Sequence, residues 1–284
     1  MSRTRTITAR KISAYKHRLI EEEKCDNTIS AYIRTINNLK KNIGTRPLTK
    51  EILLEWKKSL CENHLPNSVN LMLAALNSFL KFCGWSELLL KPLKIQRQMF
   101  AEKKAELDRK EYERMLNAAR MSGNERLCLI LQTICATGIR VSELKFITAE
   151  AVRNGKADIS CKGKRRTVFL PEKLTRMLKK YIAKHKLSGL VFVTRNGKSV
   201  DRSNIWREMK KLSESAGVAK TKLFPHNLRH FFARTYYTTQ KDLSRLADIL
   251  GHSNISTTRI YTRESGEVHA RQIERLGLVY DFTT

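Results

Sequence analysis

The sequence lacks the features that mark zinc proteins, nucleotide-dependent enzymes and membrane proteins. Its six cysteines form no Cys-x-x-Cys pair and no metal-ligand spacing with histidine, which indicates reduced thiols. It contains no P-loop and no carboxylates paired at metal-binding spacing. No stretch approaches the roughly 18 apolar residues of a membrane span. We therefore expect a cytoplasmic protein with no bound metal and no membrane partner.

Acidic residues are scarce beside basic ones. The chain carries 55 Lys and Arg against 27 Asp and Glu, a net charge of +28. Residues 1–100 hold 18 of the basic and 8 of the acidic side chains, so both parts of the chain are positively charged. Positive charges in such excess repel one another in a folded protein. They are expected where the partner is a polyanion, with DNA or RNA the leading candidate. The alternatives are a basic protein without such a partner and, less well supported by dispersed cations, a membrane surface.

Hydrophobic periodicity predicts a helical first part of about 100 residues. Apolar residues recur at helical spacing in KISAYKHRLIEEEK and NTISAYIRTINNLKK, and further helices are predicted over Lys50–Leu60 and Asn67–Cys83. The segment LKPLKIQRQMFAEKKAELDRK then carries one Pro, seven Lys or Arg and little apolar periodicity. It indicates a basic linker at about 91–107, and we place the domain boundary near Phe100.

The second part mixes helices with a small sheet. Alternation at period two in ADISCKGKRRTVFLP predicts two short strands joined by a turn at Gly163. The fold class predicted for the chain is therefore mainly α with a small β-sheet, an α+β protein of two domains. The other elements predicted are helices at Arg109–Arg120, Glu125–Ala136 and Lys173–His185, a short helix at Arg140–Ile147, a brief strand at Leu190–Val193 and helices in the remainder.

Three motifs carry candidate functional residues, each with an ordinary alternative. ATGIRVSEL places Arg140 just past a glycine helix stop and Glu143 three residues later, yet such an arginine alone is more often a surface residue. CKGKRR lies at the hairpin turn, where its lysines are either solvated charge or groups that reach a DNA phosphate. LADILGHSNISTTRIYTR carries His252 and Tyr261, and a tyrosine in a short helix is usually a packing residue.

A fourth motif, FPHNLRH, concentrates cationic and titratable groups. Pro225 suits the first turn of a helix, which places His226, Arg229 and His230 on one face. Two histidines four residues apart could bind zinc, but Asn227 occupies the position of the glutamate in HExxH, and no third ligand is apparent. An arginine fork beside an imidazole instead suits a phosphate.

Taken together and in this order, the four motifs resemble those of the tyrosine recombinases, the lambda-integrase and Xer family. The matching pieces are ATGIRVSEL, ISCKGKRRTVFLP, HNLRH and LGHSNISTTRIYTR. The resemblance is strong over about residues 107–265. Residues 8–85 are similar to the family's core-binding domain through four amphipathic helices and a TISAY segment, which is a weaker match.

The resemblance implies a role for each matching residue. It makes Tyr261 the nucleophile and places Arg140 and Arg229 on the scissile phosphate. Glu143 falls where the family keeps an acidic residue near the first arginine.

The remaining matches concern proton transfer and hydrogen bonding. His226 matches the first His of the family's HxLRH, and His252 matches the His of its LGH segment. Lys162 is predicted to be the hairpin lysine that protonates the leaving group, and Lys164, one step of register away, remains the alternative.

The resemblance also implies an architecture. Residues 1–100 would form a helical, SAM-like core-binding domain that binds DNA. Residues 108–284 would form the catalytic domain, ending in a tail helix at about 267–277. The apolar residues of that tail either pack on their own domain or dock into a neighbouring protomer.

The activity implied is site-specific DNA recombination through a 3′-phosphotyrosyl intermediate and a Holliday junction, with no metal and no cofactor. The implied partners are double-stranded DNA recombination sites, a homotetramer on two duplexes and accessory recombination factors. The implied location is the nucleoid of the cytoplasm, in a bacterium, a phage or another mobile element. The biological task would be movement of a mobile element or Xer-like resolution. The alternatives are a type IB topoisomerase-like enzyme and a DNA-binding protein of the same fold without catalysis.

Overall fold

The computed structural model describes residues 5–44, 46–95, 106–161, 164–261, 273–276 and 278. The chain divides into two compact units, Met1–Arg97 and Gln98–Thr284. Most described residues are helical and one two-stranded sheet is present among them, as the predicted fold class requires. Within these residues no helix combines the length and apolarity needed to cross a membrane.

The first unit contains four helices that begin close to their predicted starts. Thr8 and Thr49 cap α1 (Ala9–Glu21) and α3 (Lys50–Asn63), because their side chains accept hydrogen bonds from backbone N–H groups three residues later. Tyr15 packs edge-on against Phe79, and its hydroxyl bonds to Ser78. The helices are α1 (Ala9–Glu21), α2 (Asp26–Ile43), α3 (Lys50–Asn63) and α4 (Pro66–Phe82), followed by a 3-10 turn at Ser86–Leu88.

The second unit is built around α6 (Glu125–Thr137), which is buried on most sides and packs against α5 (Arg109–Met121), α8 (Glu172–His185), α9 (Arg202–Ala216) and α10 (Pro225–Gln240). Asp108 and Glu111 form a capping box that starts α5. The helices of this unit are α5 (Arg109–Met121), α6 (Glu125–Thr137), α7 (Ala149–Arg153), α8 (Glu172–His185), α9 (Arg202–Ala216), α10 (Pro225–Gln240), α11 (Leu243–Leu250) and α12 (Ile255–Thr258), with 3-10 turns at Val141–Phe146, Lys220–Lys222 and Arg259–Tyr261.

The sheet is an antiparallel hairpin of β1 (Lys156–Cys161) and β2 (Lys164–Phe169). Its register pairs Lys156 with Phe169 and Cys161 with Lys164. The strands lie where the alternating pattern predicts them. The predicted turn at Gly163 lies outside the described residues.

Two local predictions differ from the structure. The strand expected at Leu190–Val193 is wrong, because this segment makes only isolated bridges, from Leu190 to Thr148 and from Val193 to Ser199. Its backbone pairs with loop residues rather than with the edge of a sheet, and a tight turn at Gly197 follows. The helix expected at Arg140–Ile147 is a 3-10 helix, Val141–Phe146.

The predicted tail helix at about 267–277 falls mostly outside the described residues. Within it, residues 273–276 are described, and the Leu276 N–H bonds to the Ile273 carbonyl at 3.0 Å in a single turn. The extent of the tail helix therefore stays a prediction.

Candidate active site

A glycine turn at the end of α6 brings two arginines together. Gly138 has a left-handed backbone, with φ +66°, and ends the helix two residues before Arg140. A Cβ at this position would lie 2.4 Å from Cδ1 of Phe232, so both the conformation and the space require glycine. The Gly138 carbonyl accepts a hydrogen bond from Nη1 of Arg229 at 2.5 Å. The turn that leads to Arg140 therefore also binds Arg229.

Glu143 is buried between Arg140 and Arg166. It accepts hydrogen bonds from the Arg140 backbone N–H at 2.7 Å and from Nη1 of Arg140 at 3.0 Å. Arg166, on β2, donates from Nη1 at 3.1 Å and from Nη2 at 2.7 Å, one bond to each carboxylate oxygen. Burial raises the pKa of Glu143, but the hydrogen bonds from the two arginines outweigh it and hold the pKa below its ordinary value. Glu143 is therefore an anion at neutral pH.

Arg229 is 1% exposed, the largest of the fully buried side chains among the described residues. Beside its bond to Gly138, its Nη2 donates to the Leu250 carbonyl at 2.7 Å and to Nε2 of His252 at 3.1 Å. Burial and the charge of Arg140 lower the pKa of Arg229 to about 10, while the nearby Tyr261 acts in the opposite direction. Arg229 therefore remains a cation at neutral pH, with its charge directed into the site by fixed partners.

The first turns of α10 carry two histidines that face each other. Pro225 occupies the start of the helix, and the rings of His226 and His230 meet edge to face with centroids 4.6 Å apart. Burial, followed by the charge of Arg229, lowers the pKa of His226, although the residue as a whole is exposed. Burial, followed by the charge of His226, lowers the pKa of His230 to about 4. Both rings are therefore neutral at pH 7.

His252 follows the glycine that ends α11 and is held at both ring nitrogens. Its Nε2 lies 3.1 Å from Nη2 of Arg229, and its Nδ1 lies 2.9 Å from Oγ1 of Thr258. A guanidinium can only donate, so Nε2 accepts and the ring proton is on Nδ1, where it is donated to Thr258. Burial, followed by the charge of Arg229, lowers the pKa of His252 to about 4. The ring is thus neutral, in one defined tautomer.

Tyr261 lies at the end of the 3-10 turn after α12 and is 4% exposed. Its ring stacks on His252 with centroids 6.1 Å apart and meets His230 edge to face at 4.7 Å. It also belongs to a small apolar cluster with Leu246 and Leu250. The packing role that a lone tyrosine suggests is therefore real, and it places the phenol beside the buried arginine.

The hairpin lysines are the part of the predicted site that the structure leaves open. Lys162 lies outside the described residues. Lys164 begins β2 and pairs with Cys161 in the register of the hairpin. The choice between the two lysines stays a prediction.

Three residues that sequence reasoning did not assign to the site also contact it. His230 shares the predicted face of HNLRH, which was a sufficient signal for its position. Arg166 alternates with the exposed Arg165 on β2, so period two alone indicates that one of the pair faces inward. Thr258 is fully buried, and no sequence pattern indicated its bond to His252.

The assembled site is positively charged and polar. Arg140, Arg166 and Arg229 converge on it with Glu143 as the counter-charge, and the histidines beside them are neutral. Among the residues that the structure describes, no group of three or more His, Cys, Asp or Glu side chains is arranged to hold a metal ion. The arrangement suits an oxyanion next to a phenol.

Comparison with known proteins gives consistent matches. Residues 105–267 match the model of the phage integrase family. Tyrosine recombinase XerA of Pyrococcus furiosus is 27% identical over 98% of this chain and 97% of its own length. Tyrosine recombinase XerA of Thermococcus kodakarensis is 32% identical, covering 73% of this chain and 74% of its own.

Among solved structures, the fold is similar to that of a lambda integrase tetramer bound to a Holliday junction. The TM-score is 0.71 at 14% sequence identity, and the match covers 90% of this chain and 77% of that one. At this identity the likeness concerns the fold.

Proposed function

The chain belongs to the phage integrase family of tyrosine recombinases, and we propose on this basis that Tyr261 cleaves one DNA strand by attack on phosphorus. The chain is an enzyme of site-specific DNA recombination. The observation that carries the assignment of the nucleophile is the position of Tyr261, packed against His252 and His230 and beside the buried Arg229. One protomer thus supplies both a nucleophile and a cation.

Arg140 and Arg229 form the phosphate clamp of this proposal. Attack on phosphorus spreads more negative charge over the non-bridging oxygens, so guanidinium groups stabilise the transition state more than the ground state. Arg229 is already held by Gly138, Leu250 and His252, and its charge needs little rearrangement when the substrate binds. Arg140 is 41% exposed and therefore accessible to DNA.

Proton transfer is divided between His226 and a hairpin lysine. A phenol is a weak nucleophile at neutral pH and needs a base, and a neutral His226 can accept its proton. The 5′-oxygen leaves as the bond from phosphorus to it breaks, and it takes a proton from Lys162 or, in the alternative, from Lys164.

His252 must change its hydrogen bonding before it can act on the phosphate. Its Nε2 accepts from Arg229 and has no proton to donate. The charge of a phosphate would favour the imidazolium, whose Nε2–H can donate to a non-bridging oxygen. We therefore assign His252 a role that begins only when DNA is bound.

The cleavage conserves the energy of the DNA linkage. One phosphoester, from phosphorus to the 5′-oxygen, is exchanged for another, from phosphorus to Tyr261. A 5′-hydroxyl from a second strand can reverse the exchange, and a first pair of exchanges between duplexes leaves a Holliday junction. Each step exchanges ester for ester, so ATP is not consumed.

The proposed partners follow from the reaction. Two duplexes require four cleavages and hence four protomers, and the fold is similar to that of a lambda integrase tetramer bound to a Holliday junction. We propose double-stranded recombination sites as the substrate, the cytoplasmic nucleoid as the location, and accessory factors as further partners. The +28 charge of the chain supports a DNA substrate.

An apolar cavity of about 450 Å³ offers a place for the tail of a neighbouring protomer. The tail at about 267–277 carries Val268, Ile273 and Leu276, whose burial would stabilise the ring of four. A Thr235→Lys variant should lower the mass of the assembly on junction DNA, as measured by light scattering. An assembly of unchanged mass would contradict docking of the tail in this cavity. The cavity is lined by Tyr112, Cys135, Ala136, Phe231, Phe232, Thr235, Tyr236, Thr239 and Gln240.

Covalent capture identifies the DNA site and tests the nucleophile in one experiment. The protein is incubated with a library of nicked duplexes of random sequence, and DNA that stays attached in detergent is sequenced. We expect the wild type to enrich one motif, and Tyr261→Phe to bind the recovered duplex without forming an adduct. An adduct with the Phe variant would show that another residue is the nucleophile, and binding without any wild-type adduct would indicate a non-catalytic protein.

Strand exchange is distinguished from simple relaxation on a plasmid. A supercoiled plasmid with two copies of the recovered motif should yield two recombinant circles. Relaxed plasmid without recombinants would support topoisomerase-like activity instead.

A further inference from the structure

Arg166 is a charged residue of the site to which the proposed chemistry gives no task. Its side chain is 15% exposed, and its Nε donates to the Ile249 carbonyl at 3.1 Å while both terminal nitrogens donate to Glu143. A Cβ on Gly251 would lie 3.0 Å from Cδ of Arg166, so the guanidinium is enclosed on that side too. Arg166 thus ties the β-hairpin to Glu143 and to the end of α11.

Arg140 and Arg166 compete for the same carboxylate. Arg166 takes the two-point geometry, one nitrogen to each oxygen, which is the stronger arrangement for an arginine–carboxylate pair. Arg140 contacts Glu143 through one side-chain nitrogen and its backbone N–H, and its side chain is 41% exposed. Without Arg166, Glu143 would be available to form the two-point pair with Arg140 and neutralise it.

We propose that Arg166 is a positioning residue for strand cleavage, which keeps Glu143 from capturing Arg140 and so leaves Arg140 directed at the scissile phosphate. The inference rests on the proposed function, because it concerns the same phosphate. In this arrangement Glu143 orients Arg140 while Arg166 balances the charge of the carboxylate. If Glu143 paired with Arg140 alone, it would orient that arginine but also neutralise it.

The first test measures single-turnover cleavage of the recovered nicked duplex at saturating protein. We expect Arg166→Gln to slow adduct formation by about 10- to 100-fold, since a misplaced clamp loses on that order of rate. Arg165→Gln is the matched control, because it removes the same charge from the adjacent exposed position of β2. We expect this control to weaken DNA binding at most, and to leave the saturated rate within about twofold of wild type.

A double variant separates positioning from direct contact, and thermal unfolding separates it from support of the fold. In Arg166→Gln/Glu143→Gln the neutral amide cannot neutralise Arg140, so adduct formation should be at least about fivefold faster than with Arg166→Gln alone. A residue that touches the phosphate predicts a double variant as slow as the single one or slower. That result, or a wild-type rate for Arg166→Gln, would overturn the proposal.

Thermal unfolding checks whether Arg166→Gln folds, because it leaves Glu143 buried with one cation fewer. If it does not fold, the folded double variant decides: a rate above one tenth of wild type supports the proposal, and a lower rate overturns it. Salt dependence gives a second readout in the Tyr261→Phe background. Arg166→Gln should lower the log–log slope of affinity against salt by about 1 under either role, because either Arg166 or the captured Arg140 loses a phosphate contact. Only positioning predicts that Arg166→Gln/Glu143→Gln restores the wild-type slope, and a slope that stays low in the double variant would overturn it.

Failure of the two proposals can be told apart. No adduct from the wild-type protein contradicts the proposed function itself. A wild-type adduct that forms unchanged with Arg166→Gln contradicts only the positioning role.

Discussion

At the scale of residues, the site depends on groups whose chemistry is set by neighbours far away in the chain. Gly138 and Leu250 supply carbonyls to Arg229, and Thr258 accepts the Nδ1–H of His252, whose tautomer Arg229 fixes. None of these three would be chosen for its own reactivity. Each limits how a reactive neighbour can be oriented.

Gly138→Ala should destabilise the second unit by about 1–3 kcal/mol and slow cleavage. The new methyl group would need a left-handed backbone and would lie within 2.6 Å of two ring atoms of Phe232. Urea unfolding and adduct formation measure the two effects. Gly155→Ala is the control, since Gly155 has φ +68° but open space around it, and should lose only about 1 kcal/mol. An equal decrease in the free energy of unfolding in the two variants would exclude a steric clash with Phe232.

Thr258→Val should slow cleavage by about tenfold and leave DNA affinity within twofold. The substitution removes the acceptor of the His252 Nδ1–H and therefore one of the two hydrogen bonds that orient the ring. Single-turnover adduct formation is the measurement. Thr258→Ser retains the hydroxyl and should cleave near the wild-type rate. A serine variant as slow as the valine variant would show that packing of the Thr258 side chain, and not its hydrogen bond, sets the rate.

At the scale of elements, the β-hairpin joins two functions. Its second strand holds Glu143 through Arg166, and the turn between the strands carries the candidate acid. Helix α10 likewise presents His226, Arg229 and His230 on one face, as the HNLRH spacing predicts. An element that carries several groups fixes their mutual spacing by its own geometry.

The hairpin lysines can be distinguished with a modified leaving group. A substrate with sulfur in place of the 5′-bridging oxygen needs no proton donor, because a thiolate leaves readily. Alanine at the true acid should therefore slow cleavage of the normal substrate by about 10²–10⁴-fold and be rescued by sulfur. We expect this for Lys162→Ala, with Lys164→Ala as its matched comparison. Rescue of the Lys164 variant alone would reverse the assignment.

At the scale of the whole molecule, charge governs both stability and binding. Burial and neighbouring cations lower the pKa values of His230 and His252 to about 4. Since a histidine in the unfolded chain titrates near 6.5, the unfolded state binds more protons between about pH 4 and 6.5. The free energy of unfolding therefore decreases as the pH falls through this window.

The free protein should unfold at lower temperature at pH 5 than at pH 7.5. The double variant His230→Asn/His252→Asn should show a smaller decrease over the same range, because it lacks two of the groups that take up protons on unfolding. Scanning calorimetry at a series of pH values measures both. The same decrease in both proteins would exclude these histidines as its source.

DNA affinity should fall steeply with salt. A protein of net charge +28 that makes six or more phosphate contacts should lose about 10³-fold in affinity between 50 and 200 mM salt. Fluorescence anisotropy with the Tyr261→Phe protein and the recovered duplex gives the slope without cleavage. A slope near −1 would contradict a broad phosphate interface.

Much of the protein could be predicted from local pattern. Helical periodicity, caps and the alternation of β1 and β2 are properties of neighbouring residues, so the elements lie close to their predicted places. The brief strand at Leu190–Val193 was wrong because its pairing depends on loops at Thr148 and Ser199, which local pattern does not contain. The short motifs likewise identified the candidate groups by type and order.

The sequence by itself determined the charge, the elements and the candidate chemical groups, because each depends on composition or on spacing along the chain. Only the tertiary structure decided which groups meet. Arg166 reaches Glu143 across 23 positions, and Arg229 reaches the Gly138 carbonyl across 91. These contacts arise when α10 packs on α6 and when the hairpin closes against α11, and they determine the tautomer of His252, the burial of Tyr261 and the exposure of Arg140.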